Sequence, residues 1–126
     1  MTEAEKQIES QEINDLKNMT EKERIKTYVS KYLSYIENLD YEKAYNLLDD
    51  DFKQNYFKTI EEFETYAKNL YPDIIIVEYE EMQRQGKYFI LYLNIVDALG
   101  EKETITQKFI VYELDYNDFI VSFEVI

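Results

Sequence analysis

The chain has 126 residues, enough for one domain with its own hydrophobic core. It contains no cysteine and no histidine, which excludes disulfides, thiolate metal sites and the usual general base near neutral pH. The formal net charge of -13 argues against a nucleic-acid backbone or an anionic membrane surface as the partner. The composition predicts an acidic globular domain, in which solvation is the simplest role of the charge and recognition of a basic protein is the alternative.

The first 19 residues are polar, with a sparse and broken apolar stripe. The stripe comprises Ile8, Ile13, Leu16 and Met19. This pattern predicts a solvated helix that packs lightly on the domain, or a stalk that leads to it. No signal-peptide core is present in residues 1–20, although an anchor preceding Met1 stays open. We therefore divide the chain into a stalk or helical extension, 1–19, and a single α+β domain, 20–126.

A capping box, Thr20-Glu21-Lys22-Glu23, predicts that a helix begins at Thr20. Apolar residues then recur every three or four positions up to Leu39, the period of a helix with one buried face. Tyr28 and Tyr32 lie on this face, so we expect both in the core with their hydroxyl groups reaching the surface. Asp40 is well placed to cap a second, shorter helix.

The acidic run Asp49-Asp50-Asp51 opens a segment that we interpret as turn-rich, through Phe57. A second S/T-x-x-E pattern, Thr59-Ile60-Glu61-Glu62, predicts a third helix that ends before Pro72. The acidic run does not match a calcium-binding loop, because Lys53 stands at the fifth position and the required glycine is absent. No metal site and no cofactor are therefore predicted.

From Asp73 onwards the apolar period changes to two, which predicts strands joined by short turns. The predicted strands are Ile74–Gln83, Lys87–Val96, Glu103–Glu113 and Asp118–Ile126. Gly86 and Gly100 mark the first two turns, because glycine readily adopts the positive φ that tight hairpins need. The fold class is therefore α+β, with N-terminal helices packed on a curved four-stranded antiparallel sheet.

Alternation assigns the strand residues to two faces. The predicted inward residues are Phe89, Leu91, Leu93, Ile95, Ile105, Phe109, Val111, Phe119, Val121, Phe123 and Val125, with Gln107 as the one polar interruption. The opposite face carries Tyr88, Ile90, Tyr92 and Ile110, which is too apolar for a face that meets only water. We expect this face to contact a second subunit, as in a homodimer, or the N-terminal helix.

The chain resembles the nuclear transport factor 2-like superfamily of cystatin-like rolls. The resemblance is carried by Tyr28-Val29 with Leu33, by the helix junction Asn38-Leu39-Asp40-Tyr41-Glu42-Lys43-Ala44-Tyr45, by Asp50-Asp51-Phe52 and by Thr59-Ile60-Glu61-Glu62-Phe63. It covers roughly residues 22–126. The most similar members are small extracytoplasmic domains of low-GC Gram-positive bacteria, which sit behind a membrane anchor and have no assigned activity. The resemblance therefore implies an extracytoplasmic, tethered location, whereas a native start at Met1 would imply a cytoplasmic one.

The superfamily includes ketosteroid isomerase, scytalone dehydratase, polyketide cyclases and scaffold subunits of conjugative secretion machines. Its isomerases use a tyrosine and carboxyl groups in the interior. Aligned on Asp40, the family's tyrosine position falls near Leu33 and its base position near Phe57, and neither residue carries the needed group. The resemblance thus implies a non-enzymatic interaction or accessory domain that binds a protein partner or itself.

The alternative function is a pocket protein for a small apolar ligand, or a cryptic isomerase-like or dehydratase-like enzyme. A pocket between helices and sheet would be lined by large apolar side chains. The candidates are Phe57, Phe63, Tyr66, Phe89, Leu91, Phe109 and Phe123. So many large aromatic residues favour an interior that is filled by its own side chains.

Overall fold

In the computed structural model, which describes residues 2–126, five helices precede a four-stranded antiparallel sheet. The helices are α1 (Glu3–Lys17), α2 (Glu21–Glu37), α3 (Tyr41–Asn46), α4 (Asp50–Tyr56) and α5 (Ile60–Leu70). The strands are β1 (Ile75–Gln85), β2 (Tyr88–Asp97), β3 (Ile105–Asp115) and β4 (Asp118–Phe123), and they are hydrogen-bonded in sequence order. The α+β class predicted from the sequence is confirmed.

Two predicted helix starts are confirmed by their capping bonds. The hydroxyl of Thr20 accepts a hydrogen bond from the backbone N–H of Glu23 at 3.2 Å. The hydroxyl of Thr59 accepts a hydrogen bond from the backbone N–H of Glu62, also at 3.2 Å. Each bond satisfies a backbone donor that the first helical turn leaves free.

The predicted position of the α3 cap is confirmed, but the cap lacks the side-chain hydrogen bond usual for aspartate. Asp40 stands at the N-cap position, but its side chain accepts no capping hydrogen bond and lies 3.5 Å from the ammonium group of Lys43. Its backbone has φ -94° and ψ 65°, whereas a capping residue normally has an extended backbone that aims its side chain at the first turn.

The predicted turn-rich segment after the acidic run is also wrong, because it forms helix α4. The carboxylate of Asp49 accepts a hydrogen bond from the N–H of Phe52 at 3.0 Å. Asp50 and Asp51 occupy the first turn, where the helix dipole favours negative charge. The run that looked like a turn is therefore the start of a helix.

A Schellman motif ends α2. The N–H of Leu39 donates to the carbonyl of Ile36 at 3.0 Å, and the N–H of Asp40 donates to that of Tyr35 at 2.7 Å. The motif holds Leu39 in the left-handed conformation, with φ 62°, and leaves its side chain 69% exposed. A leucine is thus strained at a position that glycine or asparagine usually occupies.

Replacing Leu39 by glycine should raise the free energy of unfolding by about 0.5–1 kcal/mol. Relief of the left-handed strain exceeds the entropy that glycine loses on folding. Urea denaturation followed by circular dichroism measures the change. Leu99→Gly is the matched control, because Leu99 is 55% exposed and has no positive φ, so it should lose stability. A loss in both variants would contradict strain at Leu39.

The sheet presents one apolar face to α2. Leu91, Leu93 and Ile95 of β2 and Phe109 and Val111 of β3 are buried, as the alternation predicts. The aromatic rings join the layers: Tyr28 stacks on Phe119 with ring centroids 4.2 Å apart, and Tyr32 meets Phe109 edge-on at 5.9 Å.

One inward assignment at the end of the sheet is wrong. Val125 is 37% exposed, because β4 ends at Phe123 instead of Ile126. There the side-chain amide of Gln107, not the backbone of β3, donates to the carbonyl of Glu124 at 3.0 Å. The N–H of Glu124 still donates to the carbonyl of Lys108 at 2.9 Å, but the N–H of Ile126 donates to the hydroxyl of Tyr66 at 3.2 Å, so the last residue is held by α5 instead of by β3.

Both edges of the sheet are protected. Beside β4, the N–H of Asp49 donates to the carbonyl of Val121 at 3.0 Å, and the N–H of Val121 donates to Leu47 at 2.8 Å, in a short parallel bridge. Strand β1 carries a register shift between Tyr79 and Glu81 and exposed acidic side chains, both of which oppose edge-to-edge pairing. Association through a strand edge is therefore disfavoured, which leaves the faces.

Helix α1 lies against α2 and the β3–β4 turn. Its buried residue is Leu16, and its Glu12 contacts Lys31 at 3.8 Å and the side-chain amide of Asn117 at 3.1 Å. None of these contacts lies on the outer face of the sheet. The expectation that the N-terminal helix covers that face is therefore wrong.

Candidate functional site

The outer face of the sheet brings the four predicted interface residues together. Tyr88 of β2 lies opposite Tyr112 of β3, and Ile90 lies opposite Ile110. Tyr92 follows on the same face, opposite Lys108. Tyr88 is 51% exposed and the side chains of Ile90, Tyr92 and Ile110 are half-buried. These apolar side chains therefore form one patch that water reaches.

Two members of this patch were missed by the sequence analysis. Tyr112 of β3 pairs with Ile120 of β4, so the patch extends across three strands. The rings of Tyr88 and Tyr112 lie with centroids 5.4 Å apart. The alternation that placed Ile110 on this face also places Tyr112 and Ile120 there, because all three occupy outward positions. The signal was present in the sequence.

A groove of about 430 Å³ runs over this patch, and we call it the outer-face groove. Its floor is formed by Ile90, Ile110 and Ile120, and one end is lined by Asp49 and Asp51. These aspartates reach the sheet because the segment before α4 pairs with Val121. No local sequence signal indicates that contact, since it joins residues more than 70 positions apart.

The seven predicted pocket-lining residues lie in the core between helices and sheet. Phe57, Phe63, Phe89, Leu91, Phe109 and Phe123 are buried, and Tyr66 is half-buried. Their rings contact one another: Phe57 lies 5.0 Å from Tyr66 and 5.7 Å from Phe63, and Phe109 lies 5.6 Å from Phe123. The side chains that would line a pocket thus occupy the interior space themselves.

Gln107 is the centre of a polar cluster inside this core. Its carbonyl oxygen accepts from the hydroxyl of Tyr71 at 2.7 Å, and its amide donates to the hydroxyl of Tyr66 at 3.2 Å. Burial raises the pKa of Tyr71 well above its usual value, so this hydroxyl stays protonated. Amide and hydroxyl groups satisfy each other here, as buried polar groups require.

The hydroxyl of Tyr32 lies beside Tyr71 in the same core and makes no hydrogen bond of ordinary geometry. Burial raises its pKa well above the usual value. The expectation that this hydroxyl reaches the surface is wrong, because Tyr32 is fully buried among side chains of α5, β3 and β4. The core aromatic rings around it include Phe63, Phe109 and Phe123.

A charged cluster ties the start of α2 to the end of β3. Arg24 donates two hydrogen bonds to the carboxylate of Glu113, at 2.6 and 2.9 Å, and the hydroxyl of Tyr28 donates to the same carboxylate. Burial acts to raise the pKa of Glu113, but the hydrogen bonds from Arg24 and Tyr28 outweigh it and hold that pKa below its usual value. Burial, followed by the bond to Glu113, raises the pKa of Tyr28. This cluster stabilises the contact between α2 and β3, which are far apart in the sequence.

A second buried acid organises the β2–β3 turn. The carboxylate of Asp97 accepts from the N–H groups of Leu99, Glu101 and Lys102, at 2.8–3.1 Å. The bond from Leu99, then those from the other two amides, lower the pKa of Asp97. The Lys102 ammonium donates to three backbone carbonyls at the end of α5. The three N–H groups that donate to Asp97 belong to the backbone of the turn, so this carboxylate stabilises the turn.

Among residues 2–126, no group of three or more acidic side chains is arranged to hold a metal ion. In the same part of the chain, no helix is both long and apolar enough to cross a membrane. Comparison with protein-family models, curated proteins and solved structures finds no match to this chain.

Proposed function

We propose that the chain is a non-enzymatic interaction domain of the nuclear transport factor 2-like type, whose binding surface is the outer face of the sheet. The observation that carries the proposal is the apolar patch around Tyr88, Ile90, Tyr92 and Ile110, which no other described element covers. A sheet face that meets only water normally carries polar side chains, whereas this part of the face carries tyrosines and isoleucines.

The side chains that fill the interior support a binding function instead of catalysis. The space in which this superfamily places catalytic groups is occupied by mutually packed rings, and its polar centre is an amide that bonds to tyrosine hydroxyls. The inward-facing carboxyl groups Asp97 and Glu113 are both engaged by the protein itself. Asp97 accepts hydrogen bonds from backbone N–H groups of its own turn, and Glu113 accepts them from Arg24 and Tyr28. General acid–base catalysis needs a carboxyl group within reach of a bound substrate.

Membership of the superfamily is part of the proposal. Its support is the order of elements, helices first and then an antiparallel meander with one face on the longest helix, α2. The Asn38-Leu39-Asp40 junction, on which the resemblance rests, makes the sharp turn between α2 and α3 through the Schellman motif. A domain of this type would present its sheet face to a partner protein or to a second copy.

Replacing Tyr92 by glutamate should abolish association while leaving the fold intact. The new carboxylate lies opposite Lys108, and it replaces an apolar contact by a charge that the interface would have to desolvate, at a cost in free energy. Sedimentation velocity over a range of concentrations measures self-association, and capture of identified proteins measures hetero-association. Tyr56→Glu is the matched control, since Tyr56 is 55% exposed on α4 and lies off the sheet.

Circular dichroism melting of both variants checks that the fold persists. Association that survives Tyr92→Glu, or a wild type that stays monomeric and captures no protein through this face, would contradict the proposal.

A further inference from the structure

The outer-face groove has a defined apolar floor. Ile90 and Ile110 lie directly opposite each other on β2 and β3, and Ile120 lies on β4 opposite Tyr112. These three isoleucines are half-buried, so each leaves part of its side chain open to the groove. The volume of about 430 Å³ is in the range of sites that take several side chains of a ligand.

The two ends of the groove differ in chemistry. Tyr88 lies on β2, whereas Asp49 and Asp51 lie beside β4, and Tyr112 of β3 lies between them, with its ring 5.4 Å from that of Tyr88. The nearby cation Lys53 pairs with Asp50 at 3.4 Å, and Asp50 is not part of the lining. Asp49 also accepts the capping hydrogen bond from the N–H of Phe52, whereas Asp51 is exposed, so Asp51 is the carboxylate more accessible to an occupant of the groove.

The negative charge of the groove favours one class of binding partner over another. Its lining contains two carboxylates and neither lysine nor arginine. A second copy of the chain carries the same net charge of -13, so repulsion opposes its approach to an acidic rim. A basic partner is attracted by the negative potential of the groove, which raises its rate of association and orients it on the surface. Lys108 lies on the same face opposite Tyr92, outside the groove lining.

We propose that the outer-face groove binds a basic amphipathic segment of another protein, with a lysine or arginine at the Asp49–Asp51 end and apolar side chains on Ile90, Ile110 and Ile120. This inference rests on the proposed function and names its partner class. The cation forms charge-assisted hydrogen bonds with the carboxylates. Its aliphatic stem and the neighbouring apolar side chains cover the isoleucine floor. A second cation fits over the tyrosine rings at the other end.

A pair of synthetic peptides tests this recognition. In the first, leucine alternates with lysine, and in the second, leucine alternates with glutamine over the same length. Calorimetric titration of the wild-type chain should give binding of the lysine peptide that is at least about tenfold tighter. The difference should shrink at high salt, because the groove is open to solvent. Backbone amide shifts should map the contact to Ile110 and Ser122.

The double variant Asp49→Asn, Asp51→Asn isolates the acidic end. Asparagine still caps a helix, so α4 is retained. We expect it to weaken binding of the lysine peptide about five- to tenfold. Asp51→Asn alone, which leaves the cap untouched, should weaken binding about two- to threefold, because the free energies of two similar contributions add. The control Glu61→Gln, Glu64→Gln removes the same charge from α5 and should change binding less than about twofold.

Equal weakening by the groove and control variants would overturn the inference, because it would indicate attraction to the overall charge only. Dimerisation through the groove, in competition with the lysine peptide, would also overturn it, in favour of a second copy as the occupant. Loss of all association in Tyr92→Glu with no effect of the aspartate variants would overturn this inference and leave the proposed function standing. Amide shifts confined to other surfaces would overturn both.

Discussion

Phe63→Ala should lower the free energy of unfolding by about 3–5 kcal/mol. Phe63 is fully buried, and its ring contacts those of Tyr32, Tyr45 and Phe57 at centroid distances of 5.7–6.4 Å. Truncation removes apolar burial and leaves a cavity among rings that are held on several sides, so the site can collapse only in part. Urea denaturation with linear extrapolation measures the loss.

The matched control for Phe63 is Tyr56→Ala. Tyr56 is also a helical aromatic residue, but it is 55% exposed, and its ring contact is Phe52 at 5.1 Å. We expect this variant to lose less than about 1 kcal/mol, as is usual for an exposed position. Equal losses in the two variants would contradict the packing of the core described above.

The Phe63 variant also separates the two candidate functions. A cavity lined by aromatic rings stays dry and binds small apolar molecules such as benzene, which then raise the melting temperature of the variant. The wild-type chain should show no such shift, because its interior is filled. A benzene-dependent rise in the wild type would favour the pocket-protein alternative over the interaction domain.

Arg24→Met should lower the free energy of unfolding by about 3 kcal/mol at neutral pH. Methionine keeps most of the apolar stem but removes both hydrogen bonds to Glu113, whose side chain is only 18% exposed. The carboxylate is then left largely desolvated and without its cation. The matched control is Arg84→Met, since Arg84 pairs with Glu21 at 3.2 Å while its side chain is 60% exposed. That variant should lose less than about 1 kcal/mol.

The effect of Arg24→Met should depend on pH in a defined direction. In the wild type the folded pKa of Glu113 lies below its unfolded value, so the carboxylate contributes stability above the unfolded value of about 4.3. That contribution is lost as the pH falls through the folded pKa. The deficit of the variant should therefore be largest at neutral pH and shrink below about pH 4, as Glu113 becomes protonated.

A double-mutant cycle identifies Glu113 as the partner. The variant Arg24→Met, Glu113→Gln should be more stable than Arg24→Met alone at pH 7, because the neutral amide can be buried at lower cost. Tyr28 retains an acceptor in the glutamine carbonyl. A double variant less stable than the single one would indicate that Arg24 acts through its contact with the Tyr116 ring, at 5.0 Å, instead of through Glu113.

Local signals in the sequence determined most of the secondary structure and the two faces of the sheet, with helix α4 and the end of β4 as exceptions. Thr20 and Thr59 mark helix starts because a capping side chain bonds to a backbone N–H three residues away, within its own segment. Gly86 and Gly100 mark turns because both adopt a positive φ, 61° and 70°. The outward positions of Tyr88, Ile90, Tyr92 and Ile110 followed from alternation, which needs no knowledge of the rest of the chain.

Only the tertiary structure decided which distant groups meet. Asp49 joins the outer-face groove through the bridge from Leu48 to Val121, and Glu113 joins Arg24 across 89 positions. The hydroxyl of Tyr32 is buried in the core, although the position of Tyr32 on the apolar face of α2 was predicted correctly from the sequence. Hydrophobic periodicity indicates which face of a helix or strand a side chain occupies. It does not indicate which other element packs against that face. The packing of helices on the sheet settles this, because burial of the whole apolar surface determines the contact between elements.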